Sequence, residues 1–263
     1  MENPVAPDSN RGKDYWTPHR VRLFSQAIQI SDFPAKVVEA LEPAMAGCRS
    51  VLDVGAGVGA LTVPMAQRVE QVTALEPSPA MLDELRAALT KNRLDNVTCR
   101  PAAWGEADLA PHDLVLVANV APIFADILRF LTEAEPLARR AIALVQNAGP
   151  GGEKFYLGEL YPLLLGRPYP ERDDYLRTLT LLHSLGIYAH VRIVAYQFDQ
   201  PFATLHEAID FWTEQMRLTE SDQRRKLLEF LQARLEPAGS HLIAPMRRQS
   251  AVIWWQTSPK DPA

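Results

Sequence analysis

The sequence predicts an α/β fold, a mostly parallel sheet with helices packed on both faces. Three observations predict it. Short apolar runs recur at 51–54, 72–75, 97–100, 114–118 and 141–145, and helical patterns separate most of them. Such alternation builds parallel strands covered on both sides. The first run leads into the glycine-rich loop Gly55-Ala56-Gly57-Val58-Gly59, and a helical pattern with Leu61, Met65 and Ala66 on one face follows. The first two runs carry acids at their ends, Asp53 and Glu76. In an open α/β sheet those ends are where ligands bind.

The elements follow in order. Residues 1–14 are polar, with two prolines and a glycine, and read as a mobile tail. Residues 15–48 read as two helices. Thr17 caps the first and Pro18 opens it, with Val21, Phe24 and Ile28 as its apolar stripe. The second follows Pro34 and turns Val37, Val38 and Leu41 inward. Residues 49–149 form the α/β core. After the second strand, Ser78-Pro79 starts a helix with Met81, Leu82, Leu85 and Leu89 at helical spacing. Pro122 opens a helix that carries Ile123, Phe124, Ile127, Leu128 and Leu131.

Beyond Val145 the pattern changes. A loop spans 147–152, and a segment rich in Tyr, Pro and Leu follows. Asp173 or Asp174 caps a helix through Leu182. A strand reads at 189–196, two amphipathic helices at 205–217 and 220–235, and a last strand at 251–255.

The glycine loop and its acids specify a nucleoside ligand. Glycine permits positive φ and close backbone approach, and a helix start offers free N–H groups. Gly55, Gly57 and Ala60 also satisfy the dinucleotide fingerprint. Asp53 argues against that reading, because a carboxylate beside the loop repels a pyrophosphate and attracts an ammonium group.

In these residues the sequence resembles the class I S-adenosylmethionine-dependent methyltransferases. Their acid, G-x-G-x-G, acid signature is present as Asp53, Gly55, Gly57, Gly59 and Glu76, and the resemblance runs from about Arg49 to Gln146. It implies a Rossmann-like, seven-stranded sheet closed by an antiparallel pair, which 189–196 and 251–255 match. Residues 150–263 then complete the sheet. An insertion at about 199–240, with the 150–185 segment, forms a helical cap over a substrate.

The resemblance implies S-adenosylmethionine as cofactor and S-adenosylhomocysteine as product. It assigns the loop of Gly55, Ala56, Gly57 and Gly59 to cofactor contact, and Glu76, followed by Pro77, to the ribose. Asp53 either serves the methionyl amino group or caps the next helix. Ala103 and Trp104 fall where adenine contacts lie, and Trp104 either stacks on the base or packs in the core. Asn119 meets the methionyl end or makes a local turn. Tyr15, beside Trp16, either folds over the cofactor or anchors the tail. Tyr156 and Tyr161 are the candidate substrate wall, against the plainer reading that the cap packs on itself. Asn119-Val-Ala-Pro departs from Asn-Pro-Pro-Tyr, which argues against methylation of a base nitrogen.

No side chain stands out as a catalytic base; His183, Asp199 and Glu159 are the candidates on offer. No metal-ligand spacing occurs among the six histidines and two cysteines. The formal net charge of −5 offers no basic field to nucleic acid. No apolar run approaches a membrane span. Two isolated cysteines and no leader pattern suit a cytoplasmic protein. A homodimer is compatible with the sequence. The expected activity is methyl transfer to a small-molecule acceptor. The alternatives are a protein or RNA methyltransferase, or a catalytically silent cofactor-binding partner protein. Arg224-Arg225-Lys226 and Arg247-Arg248 read as solvated faces.

Overall fold

A computed structural model of the chain describes residues 15–149, 151–170 and 175–257. The tail 1–14 and the Asp173/Asp174 cap lie outside the described residues. Two helices come first, α1 (Pro18–Ile30) and α2 (Phe33–Met45). Thr17 accepts from Arg20 N at the start of α1, in the capping role its sequence context predicts.

The core then alternates: β1 (Ser50–Val54), α3 (Thr62–Ala66), β2 (Gln71–Leu75), α4 (Pro79–Asn92), β3 (Val97–Arg100), β4 (His112–Ala118), α5 (Ala121–Ala125), α6 (Ile127–Ala134) and β5 (Ala138–Asn147). The helix expected from Pro122 is two helices. Asp126 leaves the helical region at φ −134°, and its carboxylate accepts from Arg129 N to start the second. After β5 a 3₁₀ turn, Gly151–Tyr156, leads into α7 (Leu157–Leu165), a helix the sequence pattern missed because Pro162 lies inside it. Next come α8 (Tyr175–Ser184) and β6 (His190–Gln197). Between β6 and the last strand lie β7 (Gln200–Phe202), α9 (Leu205–Met216), α10 (Ser221–Arg234), β8 (Glu236–Ala238) and β9 (His241–Ala244). The chain returns as β10 (Arg247–Gln256), four residues longer at its start than the apolar run suggests.

The main sheet has seven strands in the order β3-β2-β1-β4-β5-β10-β6. All neighbours are parallel except β10, which runs antiparallel to both β5 and β6. This is the fold class expected. The C-terminal ends of β1, β2, β3, β4, β5 and β6, and the start of β10, therefore share one edge.

One apolar layer packs α2 and α3 against β1, β4, β5, β6 and β10 through Leu41, Met65, Leu116 and Val252. The opposite layer packs α6 and α8 through Phe130, Leu131 and Leu182. A third core lies among α1, α7, α9 and α10, centred on Trp212, Phe202 and Leu227, each 1% exposed or less. Each buried aliphatic or aromatic side chain contributes about 1.5–3 kcal/mol. Within this unit β7, β9 and β8 form a small antiparallel sheet that the sequence did not announce. Its strands are three, four and three residues long, too short to show a period of two.

Candidate functional site

β1 ends at Val54, and the chain turns through Gly55 at φ 74°. Gly55 N and Ala56 N donate to Leu75 O at 2.8 and 3.1 Å, which ties the loop to the end of β2. A Cβ on Gly55 would lie 2.3 Å from Val120 Cγ2, so the position needs glycine for space as well as for φ. Gly57 differs. Its φ is 58°, yet a Cβ there would meet nothing within 4 Å. The middle of the loop faces open space.

Both acids are buried beside this loop. Asp53 is 2% exposed and accepts from Thr62 Oγ1 at 2.6 Å. Burial is the main cause that pushes its carboxyl up to about 6; the Thr62 bond lowers it and the Glu76 charge raises it. Glu76 is 6% exposed. It accepts from Gly57 N at 2.9 Å and from Ser78 N at 2.8 Å. Burial raises its pKa, and the two backbone bonds oppose that rise. Among the described residues neither acid has a cation at ion-pair distance. Two buried carboxylates without a counter-ion leave a site suited to a cationic or hydroxyl-bearing ligand.

A cleft of about 260 Å³ opens next to the loop. Gly55, Leu75, Pro77, Ala103, Trp104 and Phe130 are among the residues that line it. The Trp104 ring packs on Phe130 with centroids 4.9 Å apart, and its Nε1 donates to Glu133 Oε2 at 2.6 Å. Trp104 is thus both packed and part of the cleft wall. Ala103 N donates to Glu106 Oε2 at 2.9 Å. Asn119 sits at the end of β4 in the left-handed region, φ 56°, and its N donates to Val145 O. Thus Asp53, Gly55, Ala56, Gly57, Gly59, Glu76, Pro77, Ala103, Trp104 and Asn119 lie at one edge of the sheet.

Tyr15 joins the start of α1 to α9. Its ring packs edge-on against Trp16 at 4.9 Å, and its hydroxyl donates to Gln215 Oε1 of α9. Trp16 packs against the cluster of Val21, Val58 and Met81, to which the glycine loop contributes Val58. Arg20 and Arg22 of α1 pair with Glu214 and Glu207 of α9.

The structure corrects the expectation for Tyr156 and Tyr161. They are 8% and 2% exposed and belong to the cap's own core. Tyr156 stacks on Trp212 at 5.9 Å, and its hydroxyl donates to Pro245 O. Burial pushes its phenol up to about 12. Tyr161 packs edge-on against Tyr169 at 4.9 Å. Proximity to the loop after β5 pointed these rings at the site; the apolar mass of α9 and α10 draws them away from it.

The three candidate bases are occupied or remote. Asp199 accepts from Met246 N and Gln197 Nε2. Glu159 pairs with Arg234. His183 is exposed on α8 against Tyr188. The reading of Arg247-Arg248 as a solvated face holds for the first residue and not for the second. Arg247 is exposed, but Arg248 is half-buried with its Cζ 5.0 Å from the Phe198 ring centroid. The signal was the strand alternation of β10, which puts neighbouring residues on opposite faces.

A family model for a methyltransferase domain matches residues 51–140, the stretch from β1 into β5. Those residues are similar to a methyltransferase domain. An uncharacterised Haemophilus influenzae protein is 24% identical over 211 residues, covering 78% of this chain and 75% of that one. An uncharacterised methyltransferase of Mycobacterium tuberculosis strain H37Rv is 49% identical over only 57 residues, 22% of this chain and 23% of its own length. Among solved structures, a candidate methyltransferase from Bacillus halodurans C-125 aligns over 85% of this chain and 97% of its own, at 19% identity and a TM-score of 0.54. The YcgJ protein of Bacillus subtilis aligns over 86% and 99%, at 16% identity and a TM-score of 0.50. These two likenesses concern the fold. Among the described residues, no helix is long and apolar enough to cross a membrane.

Proposed function

We propose that this enzyme transfers the methyl group of S-adenosylmethionine to a small-molecule acceptor held at the C-terminal edge of the sheet, between the glycine loop and the cap. The observation that carries the reading is the pair of buried, cation-free carboxylates, Asp53 and Glu76, on either side of a loop that is open at Gly57. That donor set fits the cofactor. Its ammonium group would relieve the unpaired charge on Asp53, and its ribose hydroxyls would find an acceptor in Glu76. Gly55, Ala56, Gly57 and Gly59 let the ligand approach the backbone. Pro77, Ala103 and Trp104 form the wall for a flat base, and Asn119 stands toward the methionyl end. Tyr15 and Trp16 close the loop side.

When bound, the sulfonium supplies an electrophilic methyl carbon and leaves as a neutral thioether. The chain's own contribution is alignment and exclusion of water. The glycine loop and the end of β4 fix one reactant, and the cap covers the other. With Asp199 and Glu159 already engaged, the acceptor has to present its own lone pair, or a group acidic enough to have lost its proton to bulk solvent before it binds. A small acceptor also suits the net charge of −5.

Titration calorimetry tests the cofactor. S-adenosylhomocysteine should bind and NAD should not. Transfer of labelled methyl from S-adenosylmethionine to a metabolite extract, read after ultrafiltration, tests the acceptor class. Label in the protein or RNA fraction alone would overturn the small-molecule assignment. Cofactor binding with no label in any fraction would favour a silent binding protein.

A further inference from the structure

Among the described residues, Arg248 is a cation with no anion opposite it. Its Nε is buried and has no hydrogen-bond partner. Among the described residues no carboxylate reaches it, and its one specific contact is the face of Phe198, itself 4% exposed. The neighbouring acid, Asp199, spends one oxygen on Met246 N and the other on Gln197 Nε2. A half-buried guanidinium without an anion is costly unless a ligand supplies one. Stacking on Phe198 holds the group in a fixed orientation.

Its location is the site edge of the sheet. β10 starts there, beside the end of β5, and Ser250 opposes Asn147 in the register. Arg248 is two residues from Ser250 and shares its face of the strand. It opposes Tyr196, whose hydroxyl and Ser250 Oγ are 3.0 Å apart. From Phe198 an aromatic row leads back to the glycine loop. Phe198 and Phe24 are 6.2 Å apart, Phe24 and Trp16 are 5.5 Å apart, and Trp16 packs with Val58.

We propose that Arg248 binds a carboxylate on the methyl acceptor, whose apolar body lies along Phe24 and Trp16. The inference rests on the methyl-transfer reading above and names its substrate class. One guanidinium matches one carboxylate in a bidentate pair. A phosphate ester would bring more charge than one guanidinium balances, and Arg247 points to the opposite face. A monocarboxylic acid is therefore the class that fits.

The test uses the full chain saturated with S-adenosylhomocysteine. Benzoate, phenylacetate and hexanoate are titrated by saturation-transfer NMR beside the three corresponding amides. The wild type should bind at least one acid and none of the amides. Arg248→Gln should bind that acid about tenfold more weakly. Arg248→Lys should fall between, because it keeps the charge and loses the fork. S-adenosylhomocysteine affinity, measured by calorimetry, should stay within about threefold in both variants and so report an intact fold. Equal acid binding by wild type and Arg248→Gln, equal binding of acids and amides, or no acid binding by the wild type at millimolar ligand would each overturn the assignment. Failure of the wild type to bind S-adenosylhomocysteine would instead sink the methyl-transfer reading, and acid titrations without it would still judge Arg248.

Discussion

Replacing Glu76 with alanine should lower the thermal midpoint of the ligand-free protein as well as its cofactor affinity. From the sequence, Glu76 reads as an acid at the end of a strand, with a role toward the ribose alone. In the structure it is 6% exposed and accepts from two backbone N–H groups, Gly57 at 2.9 Å and Ser78 at 2.8 Å. The first bond pins the glycine loop, and the second starts α4. Hydrogen bonds to a charged acceptor contribute about 1.5–3 kcal/mol each. Burial of the carboxylate, which raises its pKa, offsets part of that sum. A net loss of roughly 2–4 kcal/mol remains. For a chain of this size that is a fall of roughly 5–10 °C. Scanning calorimetry without ligand reads it. Calorimetric titration should show S-adenosylhomocysteine bound at least about tenfold more weakly. Glu76→Gln keeps one acceptor and should fall between. A midpoint within about 1 °C of wild type would refute the reasoning, because the two backbone bonds would then contribute nothing.

Asp53 makes binding depend on pH. Its folded pKa of about 6 lies above the ordinary 3.8, so its contribution to stability is fully present below pH 3.8 and lost as pH rises through 6, a change of about 3 kcal/mol. Asp53→Asn should flatten that slope in pH-dependent urea melts. Wild-type S-adenosylhomocysteine affinity should drop about tenfold from pH 7 to pH 5 as the carboxylate is protonated, and Asp53→Asn should show no such drop. Gly57→Ala should cost the fold only about 1–2 kcal/mol of left-handed strain while abolishing measurable cofactor binding, since its Cβ enters open space. Gly55→Ala should destabilise more, and Val120→Ala should recover part of the loss by removing the clash at 2.3 Å. Tyr156→Ala with Tyr161→Ala should unfold the cap, at about 3–5 kcal/mol each, in place of a selective loss of turnover; a variant with wild-type melting and low activity would return both rings to the substrate wall.

The strand–glycine loop–helix unit was legible in the sequence because its determinants are local. Apolar runs of four or five residues, glycines where φ is positive, Ser78-Pro79 as cap and first turn, and acids at the strand ends all act within one turn of chain. The antiparallel closing pair came from the family resemblance, since nothing in 189–196 states which strand it joins. Apart from the strand at 189–196, the segment from 150 to 246 was legible only as helices and loops. Pro162 masked α7, and the strands of the small sheet are too short to display alternation.

By itself the sequence determined the alternation of strands and helices from β1 to β5 and the acids that stand at the ends of β1 and β2. Tertiary structure decided what each of those groups faces. Tyr156 and Tyr161 follow a loop at the site edge, yet Trp212 and Tyr169 claim them for the cap core. Arg247 and Arg248 are adjacent cations in the sequence, and only the pairing of β10 between β5 and β6 sends one to solvent and lays the other on Phe198. Glu76 reads as an acid after a strand, and only the closure of the glycine loop onto β2 makes it the acceptor for Gly57. The physical reason is common to all three. Periodicity and backbone preference act over a few residues, whereas burial and partner choice depend on groups that meet from distant parts of the chain.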